Sequence, residues 1–371
     1  MSSCRLRLAV GGETNMRIIA EAGVNHNGDE NLAFKLVDAA VYSGADVVKF
    51  QTYKTDCLVT SSTACADYQI KSNQSVKTQK SLLSQFELSY KSFERLKAYC
   101  DALKIEFMTT AFDYESLKFV SDNLNLKTLK ISSGDLTNAP FLLEHARTNK
   151  NIILSTGMSN INEIKSALSV LAFGYLDQSV HKPKLADFVE AYSSECGKKV
   201  LRDKVTLLHC TSAYPAPDST VNLNAIKTLN QRFKICTGFS DHSLGIAIPI
   251  ASVALGITLL EKHLTLDKTL EGPDHSASLE PIEFKKMVEG VCQVSKALGN
   301  GEKIALGAEK QNMKFSRRSI VAEKSIEKGE LFDEYNLSIK RAPEKMSPYE
   351  YWRLLGSASS RNYSVGELID E

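Results

Sequence analysis

Gly238–Pro281 reads GFSDHSLGIAIPIASVALGITLLEKHLTLDKTLEGPDHSASLEP. It opens with a short β-type run that ends in Ser240, Asp241 and His242. An apolar helical segment follows from Ile246 to Gly256, and a second β-type run, Ile257 to Leu266, carries Glu261, Lys262 and His263. Strand, helix, strand is the unit of a parallel α/β sheet. Two imidazoles that end successive parallel strands can meet on one ion, because neighbouring strands lie only about 4.8 Å apart. Two polar residues that merely terminate two strands would look the same, so the rest of the chain has to decide.

Working outward, the same rhythm runs through most of the sequence. RIIAEAG, DVVKFQT, EFMTTAF, TLKISSG, NIILSTG, VTLLHCTS, KICTGFS and TLLEKHL are apolar, β-branched runs. Between most of them lie amphipathic segments such as NLAFKLVDAAVYSG and SFERLKAYCDALK. Near-continuous apolar strands alternating with helices predict a parallel sheet buried on both faces. Eight such units within residues 17–298 predict a closed (β/α)8 TIM barrel, not an open doubly wound sheet. No Gly-x-Gly-x-x-Gly follows the first run, which argues against a dinucleotide site.

Two long excursions interrupt the pattern. Thr55 to Ser89 is polar and follows the second strand, where it is either a lid over the barrel mouth or a surface loop. Leu176 to Asp203 precedes the sixth strand and is expected to add helical surface. After Gly299 the texture changes: residues 299–314 read as a polar linker, and residues 315–371 as a separate small β-rich domain. Its apolar set is Ile320, Val321, Ile326, Leu331, Leu337, Ile339, Leu354, Leu355, Val365 and Leu368. Residues 1–16 form an extension with no assigned role.

The chain has 371 residues, with 45 Lys+Arg against 44 Asp+Glu. That balance carries no footprint for nucleic acid or an anionic membrane surface. No apolar run is long enough for a membrane span, and the N-terminus lacks the apolar core of a secretory signal. Eight cysteines without Cys-x-x-Cys pairs read as reduced packing residues. A cytoplasmic protein is expected.

Active sites in such barrels collect at the C-terminal ends of the strands. Those ends carry Glu21, Lys49 with Gln51, Thr110, Lys130 with Ser133 and Asp135, Ser155, Ser212 with Tyr214, Ser240 with His242, and Glu261 with His263. Lysines embedded in apolar runs need an anionic partner. Two of them beside several hydroxyls suit a phosphate and a carboxylate held together. Internal ion pairs with Glu21, Asp135 or Glu261 would satisfy the lysines as well.

These residues also carry a family likeness. IIAEAGVNHNGD, VVKFQTYKTDCLV, LKISSGD, ILSTGM, LLHCTSAYPAP, GFSDHSLG, LEKHLTLDKTLEGPDHSASLEP and the late RRSIVA together resemble the N-acetylneuraminate (sialic acid) synthase family. The likeness runs from about Arg17 to the C-terminus. It implies condensation of phosphoenolpyruvate with an open-chain N-acetylated hexosamine on a barrel followed by an antifreeze-like (SAF) domain. It also implies a domain-swapped homodimer and a divalent metal, Mn²⁺ or Mg²⁺. By position, His242 and His263 would bind the metal. Lys49, Thr110, Lys130, Ser133, Ser155, Ser212 and Ser240 would hold phosphoenolpyruvate, with Asp135 in the same loop. Glu21, Gln51, Tyr214 and Asp274 would face the sugar, and Arg318, or its neighbour Arg317, would reach in from the partner subunit. Two departures are visible: KISSGD stands where the family often has Lys-Ile-Gly-Ser-Gly-Glu, and Ser212 where bacterial neuraminate synthases often have Asn.

N-acetylmannosamine is the first expectation for the acceptor. A diacetamido-trideoxyhexose, giving legionaminic or pseudaminic acid, is the alternative. A metal-dependent hydrolase or aldolase barrel would want a denser ligand set such as His-x-His, which does not occur. A non-enzymatic glycan-binding scaffold gives no reason for two lysines and two histidines at one rim.

Overall fold

The computed structural model describes residues 16–64, 78–179, 182–343 and 345–371. Residues 1–15 and the middle of the Thr55–Ser89 excursion, where the extension and part of the possible lid fall, lie outside the described residues. Contacts divide the chain into two units, Met1–Gly299 and Asn300–Glu371.

In the first unit eight parallel strands close on themselves: β1 (Arg17–Gly23), β2 (Val47–Thr52), β3 (Glu106–Ala111), β4 (Thr128–Ile131), β5 (Asn151–Ser155), β6 (Val205–Cys210), β7 (Cys236–Asp241) and β8 (Leu259–His263). Neighbours in sequence pair throughout, and β8 pairs with β1. The helices around them start and stop on local signals. Asp29 caps Glu30–Ser43 by accepting from Asn31 N–H at 2.7 Å, and Gly44, in the left-handed region at φ 79°, ends it. Ser89 caps Tyr90–Leu103 in the same way. The excursion before β6 forms two helices, Leu185–Ser193 and Glu195–Lys204, packed with Ile161–Leu176.

Inside the barrel, Ile19, Val47, Met108, Ile153, Leu208 and Leu259 form one buried apolar cluster. Side chains two apart on a strand share a face. Two residues further along each of these strands therefore come Glu21, Lys49, Thr110, Ser155, Cys210 and Glu261, above an apolar floor that excludes water from below. Strand register alone assembles a ring of polar groups on that plug.

The second unit has its own core of Ile320, Ala322, Ile326, Phe332, Leu337, Leu354, Tyr363 and Ile369 around an antiparallel pair, β9 (Arg318–Ala322) and β10 (Leu337–Arg341). Two residues expected in that core are exposed, Leu331 at 57% and Val365 at 64%. Alternation turns Phe332 inward in place of Leu331, and Val365 sits on the turn that Gly366 makes at φ 80°. The expected linker also differs, because Gly307–Ser316 is helical. Glu309 caps it by accepting from Leu306 N–H at 3.2 Å, and its Ala, Glu, Lys, Gln and Met residues favour helix despite their polarity. The cysteines are only partly packing residues: Cys100, Cys210 and Cys292 are buried, but Cys57, Cys196 and Cys236 are exposed. Among the described residues no helix is long and apolar enough to cross a membrane.

Candidate active site

Register places the polar groups side by side. Glu21 on β1 pairs with Lys49 on β2 and with His263 on β8. Gln51 pairs with Thr110, Thr110 with Lys130, and Ser240 with Glu261. All of these except Gln51 are buried.

Two lysines lie between two carboxylates. Lys49 Nζ stands 2.8 Å from Glu21 Oε2, at an angle poor for a hydrogen bond, and 3.4 Å from Glu261 Oε2. It also donates to Thr110 Oγ1 at 3.3 Å. Lys130 Nζ donates to Ser155 Oγ at 2.7 Å and lies 3.8 Å from Glu261 Oε1. Burial would raise the Glu261 carboxyl, but Lys130 and Lys49 outweigh it and hold that carboxyl well below the usual range. Burial raises Glu21, against the pull of Lys49. Burial also lowers Lys130, which has fewer close anions than Lys49. The balance of two cations and two anions keeps the ring closed on itself, yet both lysines face the mouth beside neutral hydroxyls that an anion can use.

Further donors crowd one side of the ring. Gly157 N–H donates to Ser133 Oγ at 3.0 Å, and Ser133 Oγ lies 3.2 Å from Cys210 Sγ. A Cβ on Gly157 would stand 2.3 Å from Ser212 Oγ and 2.9 Å from Ser133 Oγ, so any larger residue there would displace both hydroxyls. Ser133 and Ser212 thus come from two loops, and Ser155 from the end of β5, to one side of the lysines.

The opposite side holds the imidazoles and Asp274. The His242 and His263 ring centres are 5.5 Å apart, and the Tyr214 ring lies 4.3 Å from His242 and 5.8 Å from His263. His242 Nδ1–H donates to Thr211 O at 2.7 Å, which leaves Nε2 with its lone pair, 3.4 Å from Ser240 Oγ. His263 Nδ1 is buried without a hydrogen bond, with Asp274 Oδ2 at 3.8 Å. Burial lowers both imidazoles and keeps them neutral, as metal ligands must be. A buried orphan nitrogen and an oriented free lone pair suit a divalent cation. Among the described residues no group of three or more His, Cys, Asp or Glu side chains converges, so such an ion would keep open positions. Behind the imidazoles, Lys262 and Asp241 form a fully buried pair at 2.6 Å that ties β7 to β8 one residue before each histidine.

One expected residue of the barrel, Asp135, stands apart from this ring. Asp135 is tied into its own turn, accepting from Ser132 Oγ at 2.7 Å and from Asn138 Nδ2 at 3.3 Å. Arg318 opens β9 in the second unit, exposed beside Arg341. In the other direction, Cys210 and the two glycines, Gly23 and Gly157, stand among the site residues although the strand-end reading did not name them, and Glu261, read there only as a possible ion-pair partner, stands between the two lysines. For Cys210 and Glu261 the signal was the two-residue step from the apolar plug.

The chain as a whole is similar to known proteins. The NeuB family model matches residues 36–303. The chain is 44% identical over 354 residues to the N,N'-diacetyllegionaminic acid synthase of Campylobacter jejuni, covering 95% of this chain and 98% of the relative. It is 40% identical to the enzyme of the same name from Legionella pneumophila, over 95% of this chain and 92% of that one. Among solved structures, the N-acetylneuraminic acid (sialic acid) synthetase of Leptospira borgpetersenii superposes with a TM-score of 0.64 at 32% identity, covering 81% of this chain and 90% of that one. The plug, the ring of charge above it and this likeness along nearly the whole sequence lead to one statement: the chain belongs to the NeuB family of nonulosonic acid synthases and is a transferase-type enzyme.

Proposed function

We propose that the protein condenses phosphoenolpyruvate with an open-chain diacetamido-trideoxyhexose and water, giving a legionaminic acid-type 2-keto acid and phosphate. The observation that carries the chemistry is the buried pair Lys49 and Lys130, flanked by Thr110, Ser133, Ser155 and Ser212 on one side and by His242 and His263 on the other. The choice of sugar is supported by similarity: relatives at 44% and 40% identity are named for the diacetylated product, against 32% for the sialic acid synthetase. This reverses the order expected from sequence, which put N-acetylmannosamine first.

In this reading Lys49 and Lys130 exchange their carboxylate partners for the carboxylate and phosphate of phosphoenolpyruvate, and the serine and threonine hydroxyls complete the cradle. The enol carbon attacks the aldehyde carbon, forming the new C–C bond as the carbonyl π bond breaks, its oxygen taking up a proton to become a hydroxyl, and leaving positive charge at the former C2 of phosphoenolpyruvate. Water adds there and loses a proton, and the tetrahedral intermediate expels phosphate. Glu21, raised by burial, would orient that water and accept its proton. Gln51, Tyr214 and Asp274 face the acceptor. His242 and His263 would hold a divalent cation, Mn²⁺ or Mg²⁺, which when bound would supply Lewis-acid polarisation of the acceptor carbonyl. The second unit is read as the antifreeze-like domain, with Arg318 serving the barrel of a partner subunit in a homodimer.

Phosphate release from phosphoenolpyruvate, followed with the diacetamido-trideoxyhexose and with N-acetylmannosamine, tests this directly. A kcat/KM at least about tenfold higher for the diacetamido sugar is expected. Equal or better turnover of N-acetylmannosamine, or no release with either sugar, overturns the reading.

A further inference from the structure

Above the ring of Glu21, Lys49 and Glu261, β1 stops being regular. Glu21 pairs with Lys49 but Gly23 pairs with Phe50, so two residues of β1 stand against one of β2. Such a bulge re-aims the chain at a strand end. Gly23 adopts φ +52°, and Asn25 N–H closes the turn on Ala22 O at 2.9 Å. A Cβ on Gly23 would lie 3.4 Å from each of three polar atoms: Glu21 Oε1, Gln51 Nε2 and Asp274 Oδ2. Three side chains from two strands and the loop after β8 therefore converge on a patch of bare backbone.

That convergence is held from behind. Asn25 Nδ2 donates to Leu264 O and to Ser278 Oγ, both at 2.9 Å, and Ser278 Oγ donates to Asp274 O at 2.6 Å. Asn27 Nδ2 donates to Glu271 O at 2.9 Å, and Asn27 Oδ1 accepts from His275 Nε2 at 3.1 Å. The loop after β1 is thus stitched to the loop that carries Asp274. A Cβ at Gly23 would meet these atoms at ordinary contact distance, and because the stitching holds Asp274 in place it would fill the space between them.

We propose that Gly23 is a specificity-determining residue, the bare floor of the acceptor subsite, whose missing side chain leaves the point where Glu21, Gln51 and Asp274 converge free for a polar group of the sugar. This rests on the acceptor reading above. The three nearest atoms to that position include none of the lysines or hydroxyls of the anion cradle, with Glu21 the one group shared with Lys49, so the position is expected to act on the sugar before phosphoenolpyruvate.

The test separates space from backbone strain. A left-handed φ costs an alanine more than an asparagine, because asparagine tolerates that region. Backbone strain therefore ranks Gly23→Asn above Gly23→Ala in stability. Occupied space ranks them the other way in activity, since asparagine is larger. The expected result is a melting midpoint at least as high for Gly23→Asn as for Gly23→Ala. The acceptor KM should rise roughly tenfold for Gly23→Ala, with still lower kcat/KM for Gly23→Asn. The rise in melting midpoint on adding phosphoenolpyruvate alone should match wild type in both. The sugar used is whichever of the two assayed acceptors wild type turns over, so an inactive wild type sinks the functional reading separately. Activity that follows stability, unchanged acceptor KM, loss of the phosphoenolpyruvate shift, or failure of both variants to fold would each overturn the inference by assigning the glycine to the backbone alone.

Discussion

Lys49, Thr110, Lys130 and Ser155 stand on four consecutive strands, each reached by the regular two-residue step or the pairing register. Across the mouth, the floor is a bulged glycine, and Asp274 comes from a loop eleven residues beyond His263, the end of β8. One half of the site is written in strand periodicity. The other depends on loops that find their places only when the barrel closes β8 onto β1. The halves should therefore fail differently. Damage to the strand half should abolish binding of the shared anion, and damage to the loop half should change which sugar is used and how well.

The largest effect is expected at the seam between the halves. Removing divalent cations with a chelator, or replacing His242 or His263 by alanine, should bring phosphate release down to background, with activity of the chelated wild type restored by Mn²⁺ or Mg²⁺. Circular dichroism of both variants should stay that of the wild type, because neither imidazole is part of the apolar plug. Full turnover by a rigorously metal-free preparation would show that the two histidines serve another purpose.

Next comes the strand half. Lys130→Ala removes a buried cation from beside Glu261 and Ser155, and kcat/KM for phosphoenolpyruvate should fall about 10³-fold. The thermal shift produced by phosphoenolpyruvate should disappear with it. A variant that keeps this shift while losing turnover would move Lys130 from anion binding to the chemical step.

The loop half should give a smaller and more selective loss. Burial pushes the Asp274 carboxyl up to about 6, against Lys49, and its backbone is pinned through Ser278 to Asn25. Asp274→Asn keeps the shape and removes the charge. The acceptor KM should rise and kcat/KM for the sugar fall about 10²-fold, while the phosphoenolpyruvate shift remains. Equal losses for both substrates would erase the distinction between the halves.

This contrast also explains what could be read from the sequence. The eight strands announce themselves by composition, and their polar ends, Glu21 through His263, follow from where each apolar run stops. What stayed hidden depends on three-dimensional closure. Glu261 was visible at its strand end, but its place between two lysines requires Lys49 and Lys130 to arrive from β2 and β4. Gly23 and Gly157 look like ordinary turn glycines until the side chains they make room for are in position. The helix Gly307–Ser316 was missed for a simpler reason: its residues are nearly all exposed, so no apolar stripe marks it.

That helix bears on the last and smallest expected signal. Ten helical residues rise about 1.5 Å each, where an extended linker would give about 3.3 Å, so the connector's reach is shorter than its length suggests. Arg318 follows one residue after it, exposed at the start of β9. Arginine suits directional contact with a carboxylate or sugar oxygen, which lysine reproduces poorly. If Arg318 completes the loop half of a partner's barrel, Lys49→Ala and Arg318→Ala are each inactive alone but complement each other in a hybrid dimer. One of its two sites then has both defects and the other has neither. Equal mixing makes half the dimers hybrid, so about a quarter of wild-type activity should return after subunit exchange. Exchange demonstrated by differently tagged chains without any return of activity would place the arginine in its own subunit's site or in none, and the loop half would have to be complete within one chain.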